Sequence, residues 1–171
     1  MNATTMQTHT GKLIDLSEFS EADVRLPDIS HALSMLNRFT GHTTQPYSVA
    51  QHSVVVSKLV PQEDALWGLL HDASEAYLGD VARPLKAMLP EYVALEKRIQ
   101  QVIASAFGLR WPAPPSVKAA DNRALIWEKQ FLLSVQHDWG IEAEAVGGSP
   151  SPLGWQQAKE LFQSRFLEVK K

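Results

Sequence analysis

Ala65, Leu66, Leu69, Leu70, Ala73 and Tyr77 recur at spacings of three and four, the period of a helix with one buried face. Similar runs lie on both sides, and Gly and Pro punctuate them. No pair of alternating runs is joined by a tight turn, so the body of the chain is expected to lack a sheet. The expectation is an all-α, single-domain helical bundle over residues 28–171, preceded by an arm over 1–27 that is irregular or a short strand pair around Leu13, Ile14 and Leu16.

The helices follow from local signals. A weak one spans Asp28 to Arg38, with Ile29, Leu33 and Leu36 on one side, before Gly41 and Pro46 break the chain. Ser48 starts the next, with Gln51 placed to complete a capping box, and Val49, Val55, Val56 and Leu59 follow. Pro61 ends it. The third runs through the Ala65–Tyr77 stripe to a natural stop at Gly79. A fourth is expected from about Pro90 to Phe107, a fifth from Ser116 to about His137, and a last one near Trp155 to Leu167. A Gly-, Ser- and Pro-rich loop over 147–154 separates the last two.

Composition narrows the chemistry. The 171 residues are 44% hydrophobic, too apolar for wholesale disorder, and a chain of this size buries about 70% of its unfolded surface. A net charge of −3 argues against coating nucleic acid by charge, and no run approaches the ~20 apolar residues of a membrane span. The polar stretch from Met1 to Thr10 has no signal-peptide core. The absence of cysteine removes disulfides, thiolate zinc sites, iron–sulfur clusters and cysteine nucleophiles. It fits a reducing compartment, and any transition metal must be held by His and carboxylates.

Against that background, His71 and Asp72 stand adjacent in the most apolar stripe, where an unpaired charge is expensive to bury. Glu75 lies one turn on, on the same face, and Asp80 follows the expected helix end. His52 falls in the first turn of the preceding helix. Asp121 falls in the first turns of the fifth, with Lys118 three residues before it. Two imidazoles and two carboxylates from three helices make a candidate metal site, whose N and O ligands suit Mn, Fe, Co, Ni or Zn better than Ca. Each residue also has an ordinary structural reading. His71 and Asp72 can be a hydrogen-bonded core pair, Glu75 a solvated helix residue, and Asp121 a partner for the helix dipole. The five Trp residues are expected in the core or at an oligomer interface rather than as a base-stacking platform. No phosphate loop of the P-loop type and no nucleophile elbow is present.

His52, the His71-Asp72 pair and Asp121, in that order, resemble the H…HD…D motif of the HD-domain metal-dependent phosphohydrolases. The stretches 48–53 and 71–80 are similar to blocks of the bacterial 5′-deoxynucleotidases and of small phage HD hydrolases, some of which cleave deoxyadenosine triphosphate. Lys118-Ala119-Ala120-Asp121 resembles the closing block, and Leu36-Asn37-Arg38-Phe39 a substrate-contacting segment. The resemblance covers about residues 28–130.

It implies an HD-domain bundle in which His52, His71, Asp72 and Asp121 hold a divalent ion (Mn, Co, Mg, Fe or Zn). Glu75 would act on the attacking water or the leaving oxygen. Arg38, Lys86 and Lys118 would meet phosphate, and Asp80 the sugar 3′-hydroxyl. Phe39 stands where the deoxynucleotidases carry a tryptophan beside the sugar 2′ position. The implied activity is hydrolysis of the 5′-phosphoester of a deoxynucleotide, mono- or triphosphate. Alternatives are a guanosine alarmone 3′-pyrophosphohydrolase and a non-catalytic nucleotide-binding regulator. The implied setting is a cytoplasmic homo-oligomer, in a bacterium or a phage-infected cell, with a nucleotide substrate and neither membrane nor stable nucleic-acid partner. His31 and His42 are left open between pocket lining and surface or capping roles.

Overall fold

A computed structural model describes residues 3–170; Met1 and Asn2, at the head of the expected arm, and Lys171 lie outside the described residues. The molecule is mostly helical, as the apolar period requires. The helices are α1 (Leu26–Met35), α2 (Val49–Leu59), α3 (Ala65–Leu70), α4 (Glu75–Leu78), α5 (Arg83–Lys86), α6 (Pro90–Ala106), α7 (Pro115–Leu132) and α8 (Trp155–Val169). No helix among the described residues is long and apolar enough to cross a membrane.

The arm is the strand-pair alternative. Thr5–Gln7 (β1) pairs antiparallel with Leu13–Asp15 (β2), with Met6 opposite Ile14. Strands of three residues are too short to display alternation. Nor is the arm a separate unit, because Ile14 and Phe19 are buried in the main core, and the Phe19 ring meets the edge of Tyr77.

α2 is the central helix, packed against α1, α3, α7 and α8. It is buried almost all round, including the polar Gln51, His52, Ser53 and Ser57. A helix so enclosed carries no single apolar stripe, and its polar groups must find partners inside. Ser48 caps it by accepting from the Gln51 amide. The reciprocal half of the expected capping box is absent. The Gln51 side chain instead donates to the Ser151 carbonyl and accepts from the Leu153 amide, which ties down the loop before α8. α3 approaches α2 at Gly68, where a Cβ would fall 2.8 Å from Ser57 Cα. Only glycine permits that approach.

The expected third helix is broken between Leu70 and Glu75. His71 and Asp72 therefore sit at a helix end rather than in mid-helix. Gln100 of α6 supplies the reason. Its side-chain oxygen accepts from the Ser74 amide, and its side-chain amide donates to the Leu70 carbonyl. Those backbone groups would otherwise bond each other as an i→i−4 pair, so Gln100 is inserted into the ladder. The fifth helix ends at Leu132, short of His137. Leu133 is extended, and the Leu132 carbonyl accepts from the Thr44 amide. α5 is a short helix that no sequence signal marked.

Candidate metal centre and cleft

His52 and His71 are each fixed through one ring nitrogen. His52 Nδ1 lies 2.7 Å from Glu128 Oε1, and His71 Nδ1 lies 2.8 Å from the Gly68 carbonyl oxygen. Both partners are acceptors, so each Nδ1 donates and each Nε2 is left with its lone pair. The two Nε2 atoms face each other at 3.3 Å. Asp72 Oδ2 lies 3.1 Å from His71 Nε2 and 3.6 Å from His52 Nε2, and Asp121 Oδ1 lies 3.4 Å from His52 Nε2. Four acceptors thus converge and require a positive charge among them. His52, His71 and Asp72 form a group able to hold a metal ion. The donor set fits a divalent transition ion, and the carboxylate and carbonyl behind the rings are the partners that orient imidazole ligands.

The titration of the site expresses the same demand. Burial and the Arg38 cation press His52 toward its neutral form, but Glu128 and Asp121 outweigh them and raise it to about 9. Burial would raise Asp72, yet His71 and His52 hold it well below the usual carboxylate range. Asp121 is likewise lowered against its burial, by His52, His71 and Lys118. A proton on His52 answers this demand, and so does a metal cation.

Asp72 and Asp121 line a cleft of about 790 Å³, and His52 and His71 lie against them behind its wall. Asp72, Glu75, Asp80 and Asp121 line it, opposed by Arg38, Arg83, Lys86 and Lys118. Arg38, Phe39, Asp72, Glu75, Asp80, Lys86, Lys118 and Asp121 therefore line the cleft, and His52 and His71 lie directly beneath it. Lys118 and Arg83 both donate to Asp121 Oδ2, at 2.7 and 2.8 Å, which turns Oδ1 toward His52. Lys86 bridges Glu75 and Glu96. Glu75 is 4% exposed, and its Oε2 has no hydrogen-bond partner among the described residues. Burial, with Asp72 and Asp80 nearby, raises its carboxyl well above the ordinary value. Burial also raises Asp80, despite Arg38.

Phe39 and Thr40, on the 3₁₀ turn Arg38–Gly41, also line the cleft, with φ of 55° and 54°. An aromatic and a β-branched residue in the left-handed region cost about 1–3 kcal/mol each, and such strain clusters at functional sites. His42 lines the cleft. His31 does not: it stacks on His9 and meets the edge of Trp155 elsewhere.

Four contributors escaped the sequence reading. Glu128 is fully buried and holds both His52 and Arg38 (Arg38 Nε to Oε2, 3.1 Å). Its position seven residues after Asp121, two turns along one helix face, is a usable signal. Arg83 was passed over beside Lys86. Gln100 carried no signal, since its partners are backbone groups of another helix. Trp139 is not in the core: it is 40% exposed and lines the cleft.

Compared with known proteins, the chain is 42% identical over 172 aligned residues to the uncharacterized protein YfdR of Escherichia coli K12, covering 96% of this chain and 94% of that one. The chain belongs to the YfdR family. A further relative, the uncharacterized protein RCAP_rcc00048 of Rhodobacter capsulatus, is 34% identical over 158 residues, covering 84% and 79%. No family model matches. The YfdR alignment takes in almost the whole chain, so the family likeness is not confined to the helices around the candidate metal centre.

Proposed function

We propose that this YfdR-family chain is an HD-type, metal-dependent phosphohydrolase that cleaves the 5′-phosphoester of deoxynucleotides. The products would be the deoxynucleoside and phosphate or polyphosphate. The observation that carries the reading is the convergence of His52 Nε2, His71 Nε2, Asp72 and Asp121 at the floor of a cleft walled with cations. In this reading Asp121 completes the ligand set begun by His52, His71 and Asp72. The resemblance of the strings around these residues to HD hydrolases supports the choice of substrate.

Charge balance supports an anionic substrate. Four cationic side chains and four carboxyl groups line the cleft, so a divalent cation on the floor tips it positive. When bound, such an ion lowers the pKa of a water and draws charge from a phosphoryl oxygen. The chain's own residues supply the rest. Arg38, Arg83, Lys86 and Lys118 neutralise and orient the phosphate oxygens, which is most of what phosphoryl transfer needs. Asp80 accepts from the sugar 3′-hydroxyl. Glu75, whose buried carboxyl keeps its proton more readily than an exposed one, delivers that proton to the 5′-oxygen as the P–O bond breaks.

The test is phosphate release from deoxynucleoside mono- and triphosphates and the matching ribonucleotides with Mn, Co or Mg, beside a Glu75→Ala variant. Release from deoxynucleotides, cut by about 100-fold or more in the variant, is the expected result. Silence across the panel with metal bound overturns the hydrolase. Nucleotide binding without turnover would then make the protein a regulator.

A further inference from the structure

The cleft lining is of two chemical kinds. Charged groups lie beside the candidate metal ligands, and Phe39, Leu125, Leu133, Trp139 and Ile141 supply apolar wall, with the Arg38 guanidinium 5.4 Å over the Phe39 ring where the two kinds adjoin. Trp139 belongs to a segment after α7 with no regular secondary structure, yet the segment is tied down. The Gln136 side chain donates to the carbonyls of Lys129, Gln130 and Leu133, and Lys129 donates to the His137 carbonyl. An exposed indole held this firmly at a cleft wall needs a reason, because apolar surface left in water is unfavourable.

The ring geometry defines what fits. Lys129 Nζ lies 5.0 Å over the Trp139 ring centroid, and Lys129 is not part of the cleft lining. The cation covers one face of the indole, and the other face carries no cation. The Phe39 ring centroid is 6.1 Å from that of Trp139, with the planes inclined by 53°. A flat ring sandwiched between them would need roughly 7 Å, two contacts of about 3.5 Å each. The pair is thus a V-shaped corner, with Trp139 as a platform and Phe39 as a stop.

We infer that Trp139 is the nucleobase platform of the cleft, stacking the substrate's base on its open face with Phe39 against the ring edge. This rests on the proposed phosphohydrolase reading, which puts the phosphate among the charged groups, with Arg38 over the Phe39 ring marking the junction between phosphate and base. Among the described residues, no Asn or Gln lines the cleft to read a base edge by a paired donor and acceptor. Stacking is sequence-tolerant, so the platform accepts all bases, with purines favoured by their larger area.

The deciding comparison is a nucleotide against the same molecule without its base. Trp139→Ala should raise KM for deoxyadenosine monophosphate about tenfold or more, with kcat little changed. KM for 2-deoxyribose 5-phosphate should stay as in the parent, and Trp139→Phe should restore most of the loss. A rise shared equally by both substrates, or no rise for the nucleotide, overturns the platform and leaves the hydrolase standing. If the parent protein turns over no nucleotide, the hydrolase fails. Calorimetric binding of the same two ligands to parent and Trp139→Ala proteins then reads the platform alone. A base-dependent gap in affinity that Trp139→Ala closes supports it, and an unchanged or missing gap overturns it.

Discussion

His52, beneath the cleft, and Trp139, on its wall, are held by opposite means. His52 is fully buried, with Nδ1 held by Glu128 of α7 and Nε2 facing His71 Nε2 and Asp121. Trp139 is 40% exposed and sits on irregular chain, with the Lys129 cation over its ring and the nearby Gln136 side chain donating to carbonyls near the end of α7. The floor is thus a network of buried charges, in which every member depends on the next. The rim is a surface held in place locally, with strained backbone at Phe39 and Thr40. Damage to the floor should spread into stability and metal affinity together, whereas damage to the rim should stay in substrate binding.

Glu128→Ala is the most severe way to break the floor. It leaves Arg38 and His52 buried without their shared carboxylate. Removing one partner of a buried pair typically costs about 3–5 kcal/mol. Urea unfolding should show a loss of that size, and metal affinity should fall by about 10–100-fold through the disoriented His52 ring. A Glu128→Ala protein as stable as the parent would mean that the network is ornamental, and the contrast between floor and rim would collapse.

The same network has a pH signature. His52 is raised from 6.5 to about 9 in the folded protein, so its contribution is complete below about pH 6.5 and is lost as pH climbs through 9. Glu75, also raised, loses its contribution on the same side, as pH rises through its folded value. Asp72, Asp121 and Glu128 are lowered, so their contributions vanish only in acid. Chelator-treated protein should therefore lose up to roughly 3 kcal/mol between pH 6.5 and 9, read from melting temperatures across the range. Added Mn or Co should restore about 2.7 kcal/mol at a hundredfold excess over Kd, more readily at the alkaline end, where the ion no longer competes with the proton. His71→Ala should abolish the metal response. A response that survives it would place the ion elsewhere.

How much of this was legible in the sequence follows from the kind of interaction involved. The helical body was readable because an apolar period is a local property, and the candidate metal ligands were readable because polar groups in apolar runs stand out. Their convergence holds: His52, His71, Asp72 and Asp121 do meet. The break after Leu70 was not readable, since it depends on Gln100 reaching in from α6. Glu128 looked like any helix carboxylate in Trp127-Glu128-Lys129, and only its register with Asp121 distinguishes it. Trp139 lies beyond any periodic stretch, so its position is set by Gln136 and Lys129, whose bonds no pattern announces.

Gly68→Ala tests the floor through its backbone rather than its charges. The added methyl meets Ser57 Cα at 2.8 Å, and backbone cannot swing aside as a flexible side chain can. The carbonyl of the same residue holds His71 Nδ1, so any shift of α3 moves a candidate ligand. Overpacking of this kind costs about 1–3 kcal/mol. Thermal melts should show the loss, and the metal-induced rise in melting temperature should shrink with it. A loss of stability with an unchanged metal response would separate the packing of α2 on α3 from the positioning of His71.

Thr40→Gly is the corresponding test of the rim and has the smallest expected effect. Glycine takes φ near 54° without strain, which favours the folded state, but it also gives the unfolded chain more freedom, which opposes it. The two nearly cancel, so stability should change by less than about 1 kcal/mol, in the favourable direction. Nucleotide KM should rise nonetheless, by a few-fold, because the turn that presents Phe39 to the cleft is loosened, while the metal response stays as in the parent. A fall in stability comparable to that of Gly68→Ala would mean that the strained turn is part of the floor's network through Arg38, and that the cleft is one cooperative unit from end to end.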